Sequence, residues 1–239
     1  MRGQEGGTAV TAVMVTQAGR ENLARMAVAS FLAQTWQDKR LVLLNTGKKP
    51  VVLKQDERIT EFCRPQGNDK LSDLRNISLE LVPKDQWVIQ WDDDDWSADW
   101  RIACQLQDAR LDRCTLLRSQ IRVNVPKSEF VIWHWRLNQP PGIPGTILFH
   151  RSTGAAYRPG LSRDEDSYLV ADHFSGDRCF VVENFATPHT YLRLYHGGNT
   201  WDQDHFFEKH RPRPLAELGA HEKYVQQVLS EHLRREAKA

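Results

Sequence analysis

The stretch that decides the fold covers residues 87 to 96 and reads WVIQWDDDDW. An apolar, strand-like run ends abruptly in four consecutive aspartates, Asp92 to Asp95. Adjacent negative charges repel and cannot all be desolvated, so this run does not serve the stability of a strand. Carboxylate oxygens suit a hard divalent cation such as Mg²⁺ or Mn²⁺. The alternative, a solvated acidic turn, is less favoured because ligands bind at the carboxyl edge of open α/β sheets.

Length and composition limit the class of protein. The chain has 239 residues, of which 40% are hydrophobic and 26% charged, enough for one sizeable core. The formal net charge of +1 provides no overall field toward nucleic acid or an anionic membrane, although a local basic groove stays compatible with it. The four cysteines form no CxxC pair, and nowhere do eighteen apolar residues run together. We therefore expect a cytoplasmic protein with reduced thiols, no secretory signal and no membrane span.

The first half of the chain alternates strand and helix patterns. Short apolar, β-branched segments predict strands, and apolar residues at three- and four-residue spacing predict helices between them. This rhythm predicts a mostly parallel sheet with right-handed crossovers. The predicted strands are 9–16, 41–45, 59–62 and 87–91, and the predicted helices are 21–34 and 70–82.

The second half of the chain has a different order of predicted strands and helices. Segments 115–125 and 129–137 look extended, and Pro126 and Lys127 between them predict a hairpin. No repeat or linker interrupts the chain, which predicts one compact domain. The other predicted strands are 145–151, 178–183 and 190–196, and the other predicted helices are 99–111, 163–174 and 215–235.

Four segments resemble, in order and spacing, the family 2 glycosyltransferases of the glycosyltransferase A fold, and the resemblance covers about residues 9 to 201. The segment VMVTQAGRENLARMAVASFLAQTW at 13–36 is similar to the family's opening strand, turn and helix. LVLLNTG at 41–47 stands where the family usually has Asp-Asp-Gly-Ser. GNDKLSDLRN at 67–76 is similar to Gly-Asn-x-Gly-x-x-x-x-Arg-Asn. IQWDDDDW at 89–96 is similar to the Asp-x-Asp metal motif.

Two less specific matches lie further along. LSRDEDSYL at 161–169 resembles the family's Glu-Asp motif, in which the aspartate deprotonates the acceptor hydroxyl. YHGGNTW at 195–201 resembles a C-terminal loop whose histidine can complete the metal site.

The resemblance implies an α/β protein with a single-domain glycosyltransferase A fold, in which helices flank a mostly parallel, Rossmann-like sheet with a mixed C-terminal part. It implies a nucleotide-sugar-binding half at about 9–96, an acceptor-binding and catalytic-base half at about 97–201, and a C-terminal helical extension at about 202–239. The implied activity is inverting transfer from a nucleotide-diphosphate sugar, foremost a UDP-sugar, to a hydroxyl acceptor. The implied cofactor is Mn²⁺ or Mg²⁺.

The resemblance also implies how a metal would be held. Asp94 would bind the ion directly, with His196 as a second protein ligand, whereas Asp95 would hold neighbouring loops and backbone amides. For His196 the alternative is a structural role in ordering the glycine turn at residues 197 and 198.

The resemblance places the residues that bind the nucleotide-sugar donor mainly in the loops after the first strands. In the family, two acids after the second strand hold the nucleobase and ribose; here an amide and a hydroxyl stand in their place, and both can still hydrogen-bond a base edge. For Arg20 and Arg75 the alternative is a surface charge at a helix start. Asp92 would contact the ribose or the metal. The expected donor-binding residues are Thr16, Gln17, Arg20, Asn45, Thr46, Arg75, Asp92 and Asp93.

Three acidic residues, 164 to 166, open a predicted helix. Ser162 and Glu165 have the spacing of a capping box, which leaves Asp166 as the general base. Near a helix N-terminus its charged form is favoured, so we expect Asp166 to be deprotonated at neutral pH. Alternatively, all three acids complement the helix dipole. Trp96 is expected to bind the acceptor, since sugar rings stack on indole; the alternative is that Trp96, like most large aromatics, belongs to the core. Glu165 is also expected to bind the acceptor.

Two other classes of protein use similar residues. A sugar nucleotidyltransferase needs a glycine-rich, basic phosphate loop after its first strand, and TQAGRE at 16–21 is a poor match. A non-catalytic saccharide-binding protein on the same fold needs neither the acids at 92–95 nor those at 164–166. The sequence leaves the acceptor open among glycans, lipid-linked precursors, proteins, small molecules and modified DNA bases; the near-neutral charge only mildly disfavours nucleic acid.

Overall fold

The structure is a computed structural model that describes residues 8–65, 67–135, 141–199, 202–207 and 210–236. All six elements predicted for the first half are present, with ends shifted by at most two residues. Strand β1 pairs in parallel with β2 and β4, and β2 pairs in parallel with β3, which confirms the predicted parallel arrangement. These elements are β1 (Val10–Thr16), α1 (Glu21–Leu32), β2 (Lys39–Asn45), β3 (Ile59–Cys63), α2 (Leu71–Glu80) and β4 (Trp87–Gln90).

Strand β1 lies at the centre of the hydrophobic core and is buried on both faces. Ala12 and Met14 pack on one face with Phe31 of α1. Val13 packs on the opposite face with Leu79 of α2. Because successive side chains of a strand point to opposite faces, a continuous apolar run is the pattern that a doubly covered strand requires.

The second half completes the first sheet and builds another. The first sheet has seven strands in the order β10-β6-β9-β4-β1-β2-β3, with β9 antiparallel to both of its neighbours. The second sheet has five strands in the order β12-β8-β7-β11-β5. The elements are β5 (Asp95–Ser97), α3 (Arg101–Leu106), β6 (Cys114–Leu117), β7 (Ser119–Asn124), β8 (Glu129–His134), β9 (Ile143–His150), α4 (Glu165–His173), β10 (Cys179–Val182), β11 (Tyr191–Tyr195), α5 (Gln203–Phe207), β12 (Arg213–Pro214) and α6 (Glu222–Glu236).

The predicted strand 115–125 is in fact two strands in different sheets. The chain leaves the first sheet after β6 and enters the second at β7, and Arg118 lies between them. The amide of Arg118 donates to the Val182 carbonyl at 3.1 Å, while its own carbonyl accepts from Trp135 N at 2.8 Å. This residue therefore joins both sheets, and no local sequence pattern signals the change. The predicted hairpin is confirmed as β7 and β8.

Two predicted helices are shorter than expected. The helix predicted over 99–111 is limited to α3, and the one predicted over 215–235 begins only at Glu222. Short 3₁₀ turns precede α6, and Gly219 has a φ of 65°, a left-handed conformation that interrupts an α-helix. Residues 136 and 137 of the second predicted hairpin strand, and residues 200 and 201 of the predicted C-terminal loop, lie outside the described residues.

The acidic run is the connection between the two sheets. It follows β4 of the first sheet, and its last aspartate, Asp95, already belongs to β5, which pairs antiparallel with β11. Strand β11 ends at Tyr195 and leads directly to His196. The junction of the sheets thus brings together the two segments that were predicted to share a metal. No helix in the described part of the chain is long and apolar enough to cross a bilayer.

Candidate active site

The four aspartates alternate in their exposure. The side chains of Asp92 and Asp94 are 22% and 17% exposed, whereas those of Asp93 and Asp95 are 8% and 6% exposed. Each carboxylate also has hydrogen-bond or ion-pair partners within the protein. The run is therefore not a solvated acidic turn.

Asp93 is held by the loop after β1. Thr16 Oγ1 donates to Asp93 Oδ2 at 2.7 Å. Arg20 Nη2 lies 2.8 Å from Asp93 Oδ1 and 2.6 Å from Asp94 Oδ2, so one guanidinium bridges two carboxylates. Burial and the charge of Asp94 raise the pKa of Asp93 to about 7. Arg20 is consequently part of the acidic site and not a surface charge.

Asp95 joins the two sheets at the back of the site. Its Oδ2 accepts a hydrogen bond from the Tyr191 hydroxyl at 2.5 Å, and its Oδ1 accepts one from the Leu194 amide at 3.2 Å. Burial and the charge of Asp94 raise the pKa of Asp95 to about 8. The structural task expected for Asp95, holding a neighbouring loop and a backbone amide, is what the structure shows.

Asp92 and Glu165 share one buried arginine. Arg75 Nη2 lies 2.8 Å from Asp92 Oδ1, and Arg75 Nε lies 3.1 Å from Glu165 Oε1. The predicted capping box of Ser162 and Glu165 is wrong, because α4 begins at Glu165 and its cap residue, Asp164, is left-handed with no side-chain cap bond. A buried guanidinium has several N–H donors that need acceptors, and Glu165 accepts from Nε of Arg75 instead of capping the helix. The surface-charge alternative for Arg75 is likewise wrong, since only 5% of the residue is exposed.

Asp166 and Asp92 both lie beside Gly145 of β9. A Cβ atom built on Gly145 would lie 3.3 Å from Oδ2 of each aspartate. Burial and the charges of Glu165 and Asp92 raise the pKa of Asp166 to about 7. Desolvation and like charges thus act against the helix N-terminus, which was expected to keep Asp166 deprotonated at neutral pH.

His196 and Asp94 meet at the front of the site. His196 Nε2 lies 3.5 Å from Asp94 Oδ2, and Asn199 Nδ2 donates to the same oxygen at 3.3 Å. Burial alone would raise the pKa of Asp94, but the hydrogen bond from His196 and the charge of Arg20 bring it below its ordinary value. Asn199 also accepts from the His196 amide at 2.9 Å, next to a Gly197 φ of 87°. The histidine thus orders the glycine turn and also faces the carboxylate.

The donor set fits a divalent cation that is completed by substrate. Within the described ranges, no group of three or more His, Cys, Asp or Glu side chains is arranged to hold a metal. Asp94 Oδ2 and His196 Nε2 lie 3.5 Å apart and could hold a cation once Arg20 and Asn199, which now contact the same oxygen, make room for it. Mg²⁺ is commonly bound through one or two protein groups plus water and phosphate oxygens.

The two residues expected to contact the nucleobase, Asn45 and Thr46, form side-chain hydrogen bonds in and around the loop after β2. Asn45 Nδ2 donates to the Lys49 carbonyl at 2.8 Å and to Glu61 Oε1 at 2.7 Å, and Asn45 Oδ1 accepts from the Gly47 amide at 2.7 Å. Thr46 Oγ1 donates to the Thr16 carbonyl at 3.2 Å. Asn45 and Thr46 are both buried, and their side-chain hydrogen bonds hold the loop after β2. Gln17, in contrast, is exposed in the loop between β1 and α1.

Trp96 lies away from the carboxylates. Its indole Nε1 donates to the Tyr224 hydroxyl of α6 at 2.9 Å, and it packs against the core of the second sheet. The structure therefore gives Trp96 a packing role between β5 and the last helix, and its acceptor contact stays a prediction.

Sequence reasoning missed two residues that hold Asp92. Gln90 Nε2 donates to Asp92 Oδ1 at 3.1 Å, and the Tyr157 hydroxyl donates to Gln90 Oε1 at 3.0 Å. A lone amide in the apolar run WVIQW was the available signal, since a buried polar side chain requires partners. Tyr157 carried no comparable signal.

Comparisons with known proteins identify the fold. No protein-family model and no curated protein sequence matches the chain. Crystal structures of S. aureus TarS do match, and TarS is a family 2 glycosyltransferase of the glycosyltransferase A fold. The TarS 1–349 complex with UDP-GlcNAc is 14% identical with a TM-score of 0.58, covering 95% of this chain and 72% of that one. The complex of the same segment with UDP is 14% identical with a TM-score of 0.55, covering 97% and 72%. The chain therefore has the glycosyltransferase A fold.

Proposed function

We propose that this protein is an inverting glycosyltransferase that moves a sugar from a nucleotide-diphosphate sugar, foremost a UDP-sugar, to a hydroxyl acceptor with the help of Mn²⁺ or Mg²⁺. The observation that carries this proposal is the convergence of Asp92, Asp94 and Asp166 at the junction of the two sheets. The TarS structures with UDP and UDP-GlcNAc support the choice of donor. A cytoplasmic setting agrees with the four free cysteines.

The front of the site suits the diphosphate. Asp94 and His196 would hold the cation, which would stabilise the charge that develops on the diphosphate as the glycosidic bond breaks. Arg20 brings a fixed positive charge to the same place through its contacts with Asp93 and Asp94. Thr16 donates a hydrogen bond to Asp93, which is one of the two carboxylates that hold Arg20.

The back of the site suits proton transfer. Asp166 lies beside Gly145, as Asp92 does, and in its deprotonated form it can accept the proton of an acceptor hydroxyl. Arg75 holds Asp92 and Glu165, which fixes both carboxylates near the base. A base placed opposite the leaving diphosphate leads to in-line displacement and hence to inversion at the sugar carbon.

The released product distinguishes this proposal from its rivals. The protein is incubated with UDP-glucose, UDP-galactose or UDP-GlcNAc and Mn²⁺, and product is measured with and without candidate acceptors. The proposal expects UDP, released slowly by hydrolysis and faster with the correct acceptor. Pyrophosphate release from a sugar phosphate and UTP would indicate a nucleotidyltransferase. Binding of UDP-sugars without any turnover across the acceptor panel would indicate a saccharide-binding protein.

A further inference from the structure

Two of the four cysteines lie side by side on neighbouring strands of the first sheet. Strand β10 pairs in parallel with β6, and Cys179 is the register partner of Cys114. Register partners point to the same face of a sheet, and neighbouring strands lie about 4.8 Å apart. Disulfides join Cα atoms that are about 4.4 to 6.8 Å apart. These two cysteines are therefore within bonding range without any change of strand register.

The two thiols differ in their access to solvent. Cys114 is fully buried in a core cluster with Leu169 and Phe174, on the side of the sheet that α4 covers, and Cys179 packs against the same cluster. Strand β10 stands at one end of the seven-strand order, and Cys179 is partly exposed there. A reagent in solution can therefore reach Cys179 directly, whereas Cys114 can react only with a group already inside the protein.

The two thiols also interact with each other. Burial and a hydrogen bond with Cys179 raise the pKa of the Cys114 thiol, while the nearby Arg178 guanidinium acts in the opposite direction. The thiolate is the form that attacks a disulfide, so Cys114 is a poor first nucleophile. Its place beside Cys179 suits it instead to the second step of an exchange, in which it attacks a sulfur that Cys179 already carries.

We propose that Cys114 and Cys179 form a reversible dithiol–disulfide pair, a modification site that holds β10 against β6 when the protein meets a disulfide oxidant. The Cys179 thiolate attacks oxidised glutathione, and one glutathione leaves as its thiolate. The Cys114 sulfur loses its proton, attacks the Cys179 sulfur of the mixed disulfide and displaces the second glutathione. The two cysteines together lose two electrons and two protons, and one oxidised glutathione becomes two reduced ones. In a reducing cytosol the pair stays a dithiol, as the free cysteines show it.

The bond would also change the stability of the protein. It would close a loop that contains β7, β8, β9 and α4, because these elements lie between the two cysteines in the chain. A crosslink that closes a long loop restricts the unfolded chain more than the folded one. The midpoint of thermal unfolding should therefore rise by at least about 5 °C on oxidation and return on reduction.

The test follows the sulfur atoms by peptide mapping under non-reducing conditions. Folded wild type is incubated with oxidised glutathione, the remaining thiols are blocked, and the digest is analysed by mass spectrometry before and after dithiothreitol. We expect a peptide that links Cys114 to Cys179 and that dithiothreitol separates. Cys114→Ala should stop at the mixed disulfide of Cys179 with glutathione, and Cys179→Ala should leave Cys114 as a free thiol.

Cys63→Ala is the matched control, because Cys63 is the exposed cysteine on β3, at the opposite end of the same sheet. This variant should form the linked peptide and gain thermal stability as the wild type does. A wild type that keeps glutathione on Cys179 without the linked peptide, or in which the thiols of Cys114 and Cys179 do not react until the protein is denatured, would overturn the pair. A linked peptide without a rise of the unfolding midpoint would overturn the hold on β10. The mapping of the wild type decides the matter even if a substitution at Cys114 prevents folding.

Discussion

Asp93 and Asp95 are nearly enclosed by protein, whereas their neighbours Asp92 and Asp94 keep 22% and 17% of their side chains exposed. The enclosed pair binds structural groups: Asp93 accepts from Thr16, and Asp95 accepts from Tyr191 and the Leu194 amide. Burial and the charge of Asp94 raise the pKa values of both enclosed residues. The turn at Asp93 and Asp94, between β4 and β5, thus separates enclosed carboxylates from carboxylates that can meet a ligand. One acidic run can therefore join two sheets and still offer charge to a substrate.

The largest effect is expected for the exposed pair. Asp94→Ala should reduce UDP release from a UDP-sugar by about a thousandfold or more, because it removes the carboxylate that would hold the cation. Circular dichroism and thermal melting should show that the fold is kept. Full activity of the variant, or of the wild type in excess EDTA, would contradict the metal role.

Asp166→Asn should follow in size. The amide keeps the shape but cannot take a proton, so single-turnover transfer should fall by about a hundredfold or more while UDP-sugar binding persists. Glu165→Gln is the control, since its partner is Arg75 and not the acceptor, and it should cost less. If Glu165→Gln proves the slower variant, the base has been assigned to the wrong carboxylate.

The raised pKa of Asp166, about 7, gives a pH profile with a definite sign. Below this pH the carboxyl is protonated and cannot accept a proton, so the single-turnover rate should rise with pH through about 7 and level off above it. Asp166→Asn should remove this inflection. A wild-type rate that is flat from pH 5.5 to 8.5, about a unit and a half on either side, would exclude Asp166 as the base.

Substitution of an enclosed aspartate should lower the stability of the fold. Asp95→Ala leaves the Tyr191 hydroxyl and the Leu194 amide without their buried acceptor, which should lower the free energy of unfolding by roughly 2 to 3 kcal/mol. Asp94→Ala leaves no such backbone donor and should cost less. Urea unfolding of the two variants measures the contrast. Equal losses of unfolding free energy in the two variants would mean that the enclosed aspartate contributes no more to stability than the exposed one.

The smallest effect is expected at the histidine. His196→Ala should weaken UDP binding about tenfold in Mn²⁺ and hardly at all without it, because the imidazole acts only through the cation. Titration of both proteins under both conditions gives the comparison. The same loss with and without Mn²⁺ would reduce His196 to its role in the glycine turn.

Local patterns in the sequence predicted the first half of the fold well, because β1, β2 and β4 are short apolar strands buried by adjacent helices. The second sheet was missed since β5 has only three residues and pairs with β11, far along the chain. Glu165 shows the same limit within the site: its spacing from Ser162 predicted a cap, but its partner is Arg75, 90 residues away. The Asp166 pKa likewise depends on Asp92 and on burial, which no local pattern reports.

The central claim is that the exposed aspartates bind the donor through a cation while the enclosed ones hold the fold. Calorimetric titration of UDP, with and without Mn²⁺, tests it most directly on the wild type, Asp94→Asn and Asp95→Asn. We predict that the wild type binds UDP tightly only with Mn²⁺, that Asp94→Asn loses this dependence, and that Asp95→Asn keeps it. Equal binding of UDP with and without Mn²⁺ in the wild type, or an Asp94→Asn variant that responds to Mn²⁺ as the wild type does, would contradict the account.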